Sequence, residues 1–116
     1  MAARLEFVLD CNDPDLLAYF WSAALGYRRF GSAARYRSIV DPDGVGPKMI
    51  LQGVDEPKTG KNRMHIDIQH DDIEADAARL VDLGAVRLAE LPIAEHGTAW
   101  ILMADPEGNE FCVCEC

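Results

Sequence analysis

The sequence predicts an α+β fold made of two copies of one module, each a strand, a helix and then about three strands. Three observations predict it. Two short stretches, Arg4 to Asp10 and Arg63 to Gln69, alternate apolar and polar residues, the period of a strand with one face on a core. Each is followed by an acidic cap, an apolar stripe at helical spacing and a Leu-Gly stop. Each half also carries a turn of one type, Asp41-Pro42-Asp43-Gly44 in the first and Asp105-Pro106-Glu107-Gly108 in the second. The halves align as Arg4-Leu5-Glu6-Phe7 on Arg63-Met64-His65-Ile66, Asp13 on Asp72, and Leu25-Gly26 on Leu83-Gly84. The expected division is one domain over 1–116, with module one at about 1–54, a linker at about 53–62 and module two at about 63–116.

Each element has its own signal. In the first strand, Leu5, Phe7 and Leu9 share one face and Glu6, Val8 and Asp10 the other. Asp13 caps the first helix, Pro14 suits its first turn, and Asp15 favours the positive end of its dipole. Leu17, Phe20, Trp21 and Ala24 form its apolar stripe, and Gly26 stops it. Strands are expected at Tyr27 to Gly31, Tyr36 to Val40 and Lys48 to Val54. Gly53 to Asn62 is polar, holds Pro and Gly, and reads as the linker. The second half opens with a strand over Arg63 to His70. Asp71 is the expected cap of the second helix, with Glu74 completing a capping box. Ile73, Ala77, Leu80 and Val81 form the apolar face of that helix. Strands follow at Ala85 to Leu91, Ala99 to Ala104 and Glu110 to Glu115. Neither half can bury both faces of its sheet. The helices cover one face, and the other, carrying Glu6 and His65 in equivalent places, is expected to curl into a concave cup.

Composition narrows the classes of function. The formal net charge of −9 repels a phosphate backbone and argues against nucleic acid. No segment approaches the roughly 18 uninterrupted apolar residues that span a bilayer, and the N-terminus lacks the apolar middle of a signal peptide. A cytoplasmic protein without a membrane partner is the expectation. Arg28, Arg29, Arg35 and Arg37 cluster either as a solvated sheet edge or as a basic lip for an anionic small molecule. Of the four cysteines, Cys112, Cys114 and Cys116 alternate on one strand. Residues two apart on a strand lie in a line at roughly 6.5–7 Å spacing, so small buried hydrophobes fit the run better than a closed zinc cluster. Disulfides are not expected without a secretion signal. Trp21 belongs to the helix core, Trp100 to core or cup wall, His70 to an exposed strand end, and His96 to a surface loop or a lid.

These residues resemble the vicinal oxygen chelate superfamily, which includes glyoxalase I, bleomycin-resistance proteins, fosfomycin-resistance enzymes and extradiol dioxygenases. The resemblance rests on Asp13, Phe20-Trp21 and Leu25-Gly26-Tyr27, on Lys61-Asn62-Arg63-Met64-His65-Ile66-Asp67, and on Asp105-Pro106-Glu107-Gly108-Asn109-Glu110-Phe111-Cys112. Within it, the chain is most similar to small bacterial glyoxalase-like domain proteins. The resemblance implies a pair of βαβββ modules, a cup, a homodimer and, in metal-dependent members, one divalent ion (Zn, Ni, Mn or Fe) chelated by neighbouring substrate oxygens. Carried over, it points to Glu6, Gln52, His65 and Cys112 as metal ligands. Cys112 stands where a glutamate is usual, and Glu110 lies on the same strand face. Glu110 and Glu6 are the candidate proton-transfer groups, Glu110 with a pKa raised by an apolar cup. Trp100, Arg35, Arg37 and Asp67 are the candidate substrate contacts. The function implied is a glyoxalase/dioxygenase-like enzyme acting on a small molecule. The alternative is a metal-free drug or metabolite binder of the bleomycin-resistance type.

Overall fold

In the computed structural model, residues 2–115 are described. Contacts divide the chain into two compact units that meet between Pro57 and Lys58. The first unit runs β1 (Glu6–Cys11), α1 (Pro14–Leu25), β2 (Arg28–Ala33), β3 (Tyr36–Val40) and β4 (Lys48–Gly53). The second runs β5 (Asp67–His70), α2 (Ile73–Asp82), β6 (Val86–Arg87), β7 (Ile93–Glu95), β8 (Thr98–Ala104) and β9 (Glu110–Glu115). The fold class is α+β, with one helix and one mixed sheet in each unit.

The two sheets share a plan. The first has strand order β1-β4-β3-β2 and the second β5-β9-β8-β6, with β7 also paired to β8. In each, the first strand of the unit lies parallel to the last, and the remaining pairs are antiparallel. A parallel pair needs a crossover, and the helix supplies part of it.

Local chemistry sets the helix ends. Asp13 caps α1 by accepting from the Leu16 N–H at 3.1 Å. Gly26 ends it in the left-handed region, at φ 70°, where a side chain would be strained. The cap of α2 is Asp72, not the expected Asp71: Asp72 accepts from the Ala75 N–H at 3.1 Å. Its own N–H donates to Nδ1 of His70. Glu74 does not close a capping box, because with Asp72 as the cap the third helical position is Ala75; the Arg87 guanidinium holds the Glu74 carboxylate at 2.6 and 3.1 Å instead.

Each helix seals one face of its sheet. Leu17, Ala18, Phe20, Trp21 and Ala24 of α1 are buried with Ile39, Met49 and Leu51 in the core. Phe20 and Trp21 meet edge to face at 5.2 Å. Burial of each large side chain there contributes about 1.5–3 kcal/mol. In the second unit Ile73, Ala77 and Leu80 of α2 are buried with Ile101, Met103, Phe111 and Val113. Asp76 is also buried, 2 % exposed, with Arg79 Nε donating to Oδ1 at 2.8 Å and no protein partner on Oδ2.

Two elements depart from the sequence reading. The expected strand over Ala85 to Leu91 is shorter and is followed by an extra one, giving β6 and β7. β7 turns into β8 through His96 and Gly97, both at positive φ (53° and 77°), so the expected loop is a tight two-residue hairpin. The strand expected from Arg63 begins at Asp67. Ahead of it, Asn62 and Glu110 exchange bonds: Asn62 N–H donates to Oε1 of Glu110, and Glu110 N–H donates to Oδ1 of Asn62, each at 3.1 Å. These bonds stand in for a strand ladder before the first regular bond, Cys112 N–H to Ile66 O at 2.9 Å. Among the described residues no helix is long and apolar enough to cross a membrane.

Candidate functional site

The site is built on the face of the second sheet that α2 does not cover. Pairing sets Asp67 beside Cys112 and Cys112 beside Leu102; one step on, Gln69 lies beside Cys114, Cys114 beside Trp100, and Trp100 beside Ile93. Paired residues in a sheet point the same way. Their odd-numbered neighbours on β8 and β9, Ile101, Phe111 and Val113, are buried beneath α2, so these two rows must face away from it. They line a hollow of about 570 Å³ together with Lys61, His65, Thr98 and Glu115.

Three different donors converge there. His65 Nδ1 lies 3.3 Å from Asp67 Oδ1. A ligand atom from each of His65, Asp67 and Cys112 lies within 4.8 Å of the other two. His65 and Asp67 are exposed, whereas Cys112 is 4 % exposed and forms the floor. Burial, then the charge of Asp67, pushes the Cys112 thiol up to about 11. The Cys114 thiol is raised too, by burial and by the charge of Asp67. One imidazole, one carboxylate and one sulfur, beside the hollow, are a donor set that suits a borderline divalent ion.

Glu110 plays a different part from the one expected. Its side chain is 15 % exposed and pairs with Lys61 Nζ at 2.9 Å. That hydrogen bond and the Asn62 N–H hold its carboxyl below the usual carboxylate range, the reverse of the raised value an apolar cup would give. It clasps residues 61–62 to β9 and so fixes the segment leading to His65.

In the first unit the structure separates the expected ligands. Val8 pairs with Ile50 as Asp67 pairs with Cys112. The counterpart of Cys112 is therefore Ile50, and Gln52, opposite Asp10, corresponds to Cys114. Glu6 is opposite Lys48, whose Nζ is 3.4 Å from it. Four strand steps, roughly 13 Å, separate the rows of Glu6 and Gln52, too far to share an ion over Val8 and Ile50. At the positions that match His65, Asp67 and Cys112, the first sheet carries Glu6, Val8 and Ile50.

The arginine cluster does not form one basic lip. Arg37 pairs with Leu51 across the sheet, on the side facing α1, and its Nε donates to Asp15 at 2.7 Å. Arg29 binds the same carboxylate at 3.1 Å, and Arg35 binds Asp55 at 2.8 Å. Arg28 lies over the Phe30 ring. Arg35 does border a smaller hollow of about 380 Å³, with Tyr36 and Gln52. Trp100 is half-buried on the wall of the larger hollow. Cys11 is buried in the first unit, and Cys116 lies outside the described residues. The sequence reading missed Asp67 as a donor and the Lys61–Glu110–Asn62 clasp. The His65-x-Asp67 spacing carried the first signal, since residues two apart share a strand face.

A family model described as a glyoxalase-like domain matches residues 6–114, from β1 to β9. The chain belongs to the glyoxalase-like family. Solved structures described as glyoxalase/bleomycin resistance/dioxygenase proteins share its fold. A protein from Burkholderia phytofirmans described as a glyoxalase/bleomycin resistance protein/dioxygenase family enzyme matches with TM-score 0.81 and 13% identity, over 97% of this chain and 98% of that one. The fosfomycin resistance protein FosX from Listeria monocytogenes matches with TM-score 0.79 and 14% identity, over 100% and 94%. A superfamily member from Sphaerobacter thermophilus gives 0.76 and 19%, over 100% and 98%. Among curated proteins no sequence matches this glyoxalase-like chain.

Proposed function

We propose that this protein is a small-molecule enzyme of the glyoxalase/dioxygenase type, binding a substrate with two neighbouring oxygens in the hollow of the second sheet. The observation that carries the reading is the meeting of His65, Asp67 and Cys112 at the base of that hollow. These three residues would hold a divalent ion, with Zn, Ni, Mn and Fe the candidates. When bound, the ion supplies Lewis acidity toward the substrate oxygens. Trp100, Leu102 and Ile93 receive the apolar body of the substrate. Glu110, kept ionised, positions the segment that carries His65 and is not the base. We also assign the protein to the cytoplasm, as a homodimer.

Metal analysis of protein purified without chelators, followed by calorimetric titration with each of the four ions, tests this. About one equivalent per chain, lost on His65→Ala, supports it. Trace metal and no binding on titration overturn it. A second reading, a metal-free binding protein, draws on one observation: Asp67 is already paired with His65 at 3.3 Å. Under that reading a ligand raises the melting temperature in the presence of chelator and is recovered unchanged.

A further inference from the structure

We infer that Cys112 coordinates the ion through sulfur, making this a site for a borderline-soft ion of the zinc class rather than for a hard ion such as Mn²⁺ or Mg²⁺. The inference rests on the proposed reading that the second-sheet hollow holds a metal, and goes beyond it to the identity of the ion. Cys112 cannot easily swing away. It is 4 % exposed, its N–H is bonded to Ile66 O at 2.9 Å, and it is flanked by Asp67 and Leu102 on the neighbouring strands. The face on which it sits is the face of the hollow, so its Sγ is directed at the same space as the His65 and Asp67 donors.

Hard cations favour shells of oxygen: carboxylates, carbonyls and water. Here the trio contributes a single carboxylate. The other two donors are an imidazole and a sulfur, the pair that suits Zn²⁺ and its borderline neighbours. On binding, the Cys112 S–H bond breaks, the proton passes to solvent, and the freed sulfur electron pair forms the bond to the ion.

Cobalt(II) substitution of the full chain reads this directly. The expected result is a near-ultraviolet sulfur-to-cobalt charge-transfer band that is abolished in Cys112→Ser and retained in Cys114→Ser. Zn²⁺ should displace the cobalt, and Mn²⁺ or Mg²⁺ in excess should not. A second variant, Cys112→Glu, should bind cobalt without the band and move the Zn²⁺-to-Mn²⁺ affinity ratio toward Mn²⁺ by at least about tenfold. Should Cys112→Ser fail to fold, this variant carries the test. Cobalt bound without the band, a band lost in Cys114→Ser instead, or a Zn²⁺-to-Mn²⁺ ratio unmoved by Cys112→Glu would overturn the sulfur assignment while leaving the metal reading standing. No cobalt or zinc bound at all would overturn both.

Discussion

Ala34 sits at φ 52° in the two-residue turn between β2 and β3, with Ala33 and Tyr36 paired on either side. That hairpin carries Arg35 and Arg37, two residues whose pattern suggested substrate contact. An L-residue in the left-handed region costs about 1–2 kcal/mol from the approach of its Cβ to the following carbonyl. Alanine has no polar side chain to recover any of it. Ala34→Gly removes the strain but loosens the unfolded chain, at a cost of about 0.4–1 kcal/mol. The net is a stabilisation of about 0.5–1 kcal/mol. Ala34→Val should go the other way by more than that, since a β-branched residue fits this conformation worst. At about 4 °C per kcal/mol for a chain of this size, the glycine variant melts roughly 2–4 °C higher. Urea unfolding followed by Trp21 fluorescence, in a Trp100→Phe background so that only the first unit reports, is the assay. The denaturant midpoint should rise with an unchanged slope. A lower midpoint for glycine, or a valine variant as stable as the parent, would refute the strain argument. Ion binding at the second-sheet hollow should be unaffected, because Arg35 and Arg37 are held by Asp55 and Asp15 in the first unit.

Three further outcomes follow from the geometry. Ile101, fully buried on β8 beneath the hollow, should cost about 2–5 kcal/mol on truncation to alanine, read as a shift in denaturant midpoint; a loss below 1 kcal/mol, roughly, would mean the core collapses into the space. The Glu110 carboxyl titrates below its ordinary value because Lys61 and the Asn62 N–H favour its ionised form, so its folded pKa lies below its unfolded one. The clasp's stabilisation is present above the ordinary carboxylate value and is lost as pH falls through the lowered one; the Asn62 amide resonance should move in that window, Lys61→Met should shift it upward, and an amide that follows an unshifted titration would disprove the clasp. Cys112, buried and with its thiol pushed up to about 11, should resist iodoacetamide at pH 8 in the folded chain, and peptide mass spectrometry should find it among the last thiols labelled; labelling ahead of half-buried Cys114 would contradict the burial.

The sequence by itself determined the elements whose causes are local. Alternation defined β1, the Asp13 cap and Gly26 bounded α1, and the repeated Asp-Pro-x-Gly turns exposed the two-module plan, because each depends on residues within a few positions of one another. The α2 cap moved by one residue because Asp71 and Asp72 are adjacent and equally fit for the role; only the turn through His70 selects between them. What tertiary structure alone decided is pairing. The parallel registers of β1 with β4 and of β5 with β9 join residues far apart in sequence, and no local pattern specifies them. That register put Ile50, not Gln52, at the counterpart of Cys112. It brought Asp67, a carboxylate read as a substrate contact, beside Cys112 and within 3.3 Å of His65. Pairing also decided charge: Glu110, whose pattern suggested a base in an apolar cup, met Lys61 and Asn62 across the sheet and became an anchored anion. Composition recorded that these groups exist; their distances, and so their chemistry, came from the fold.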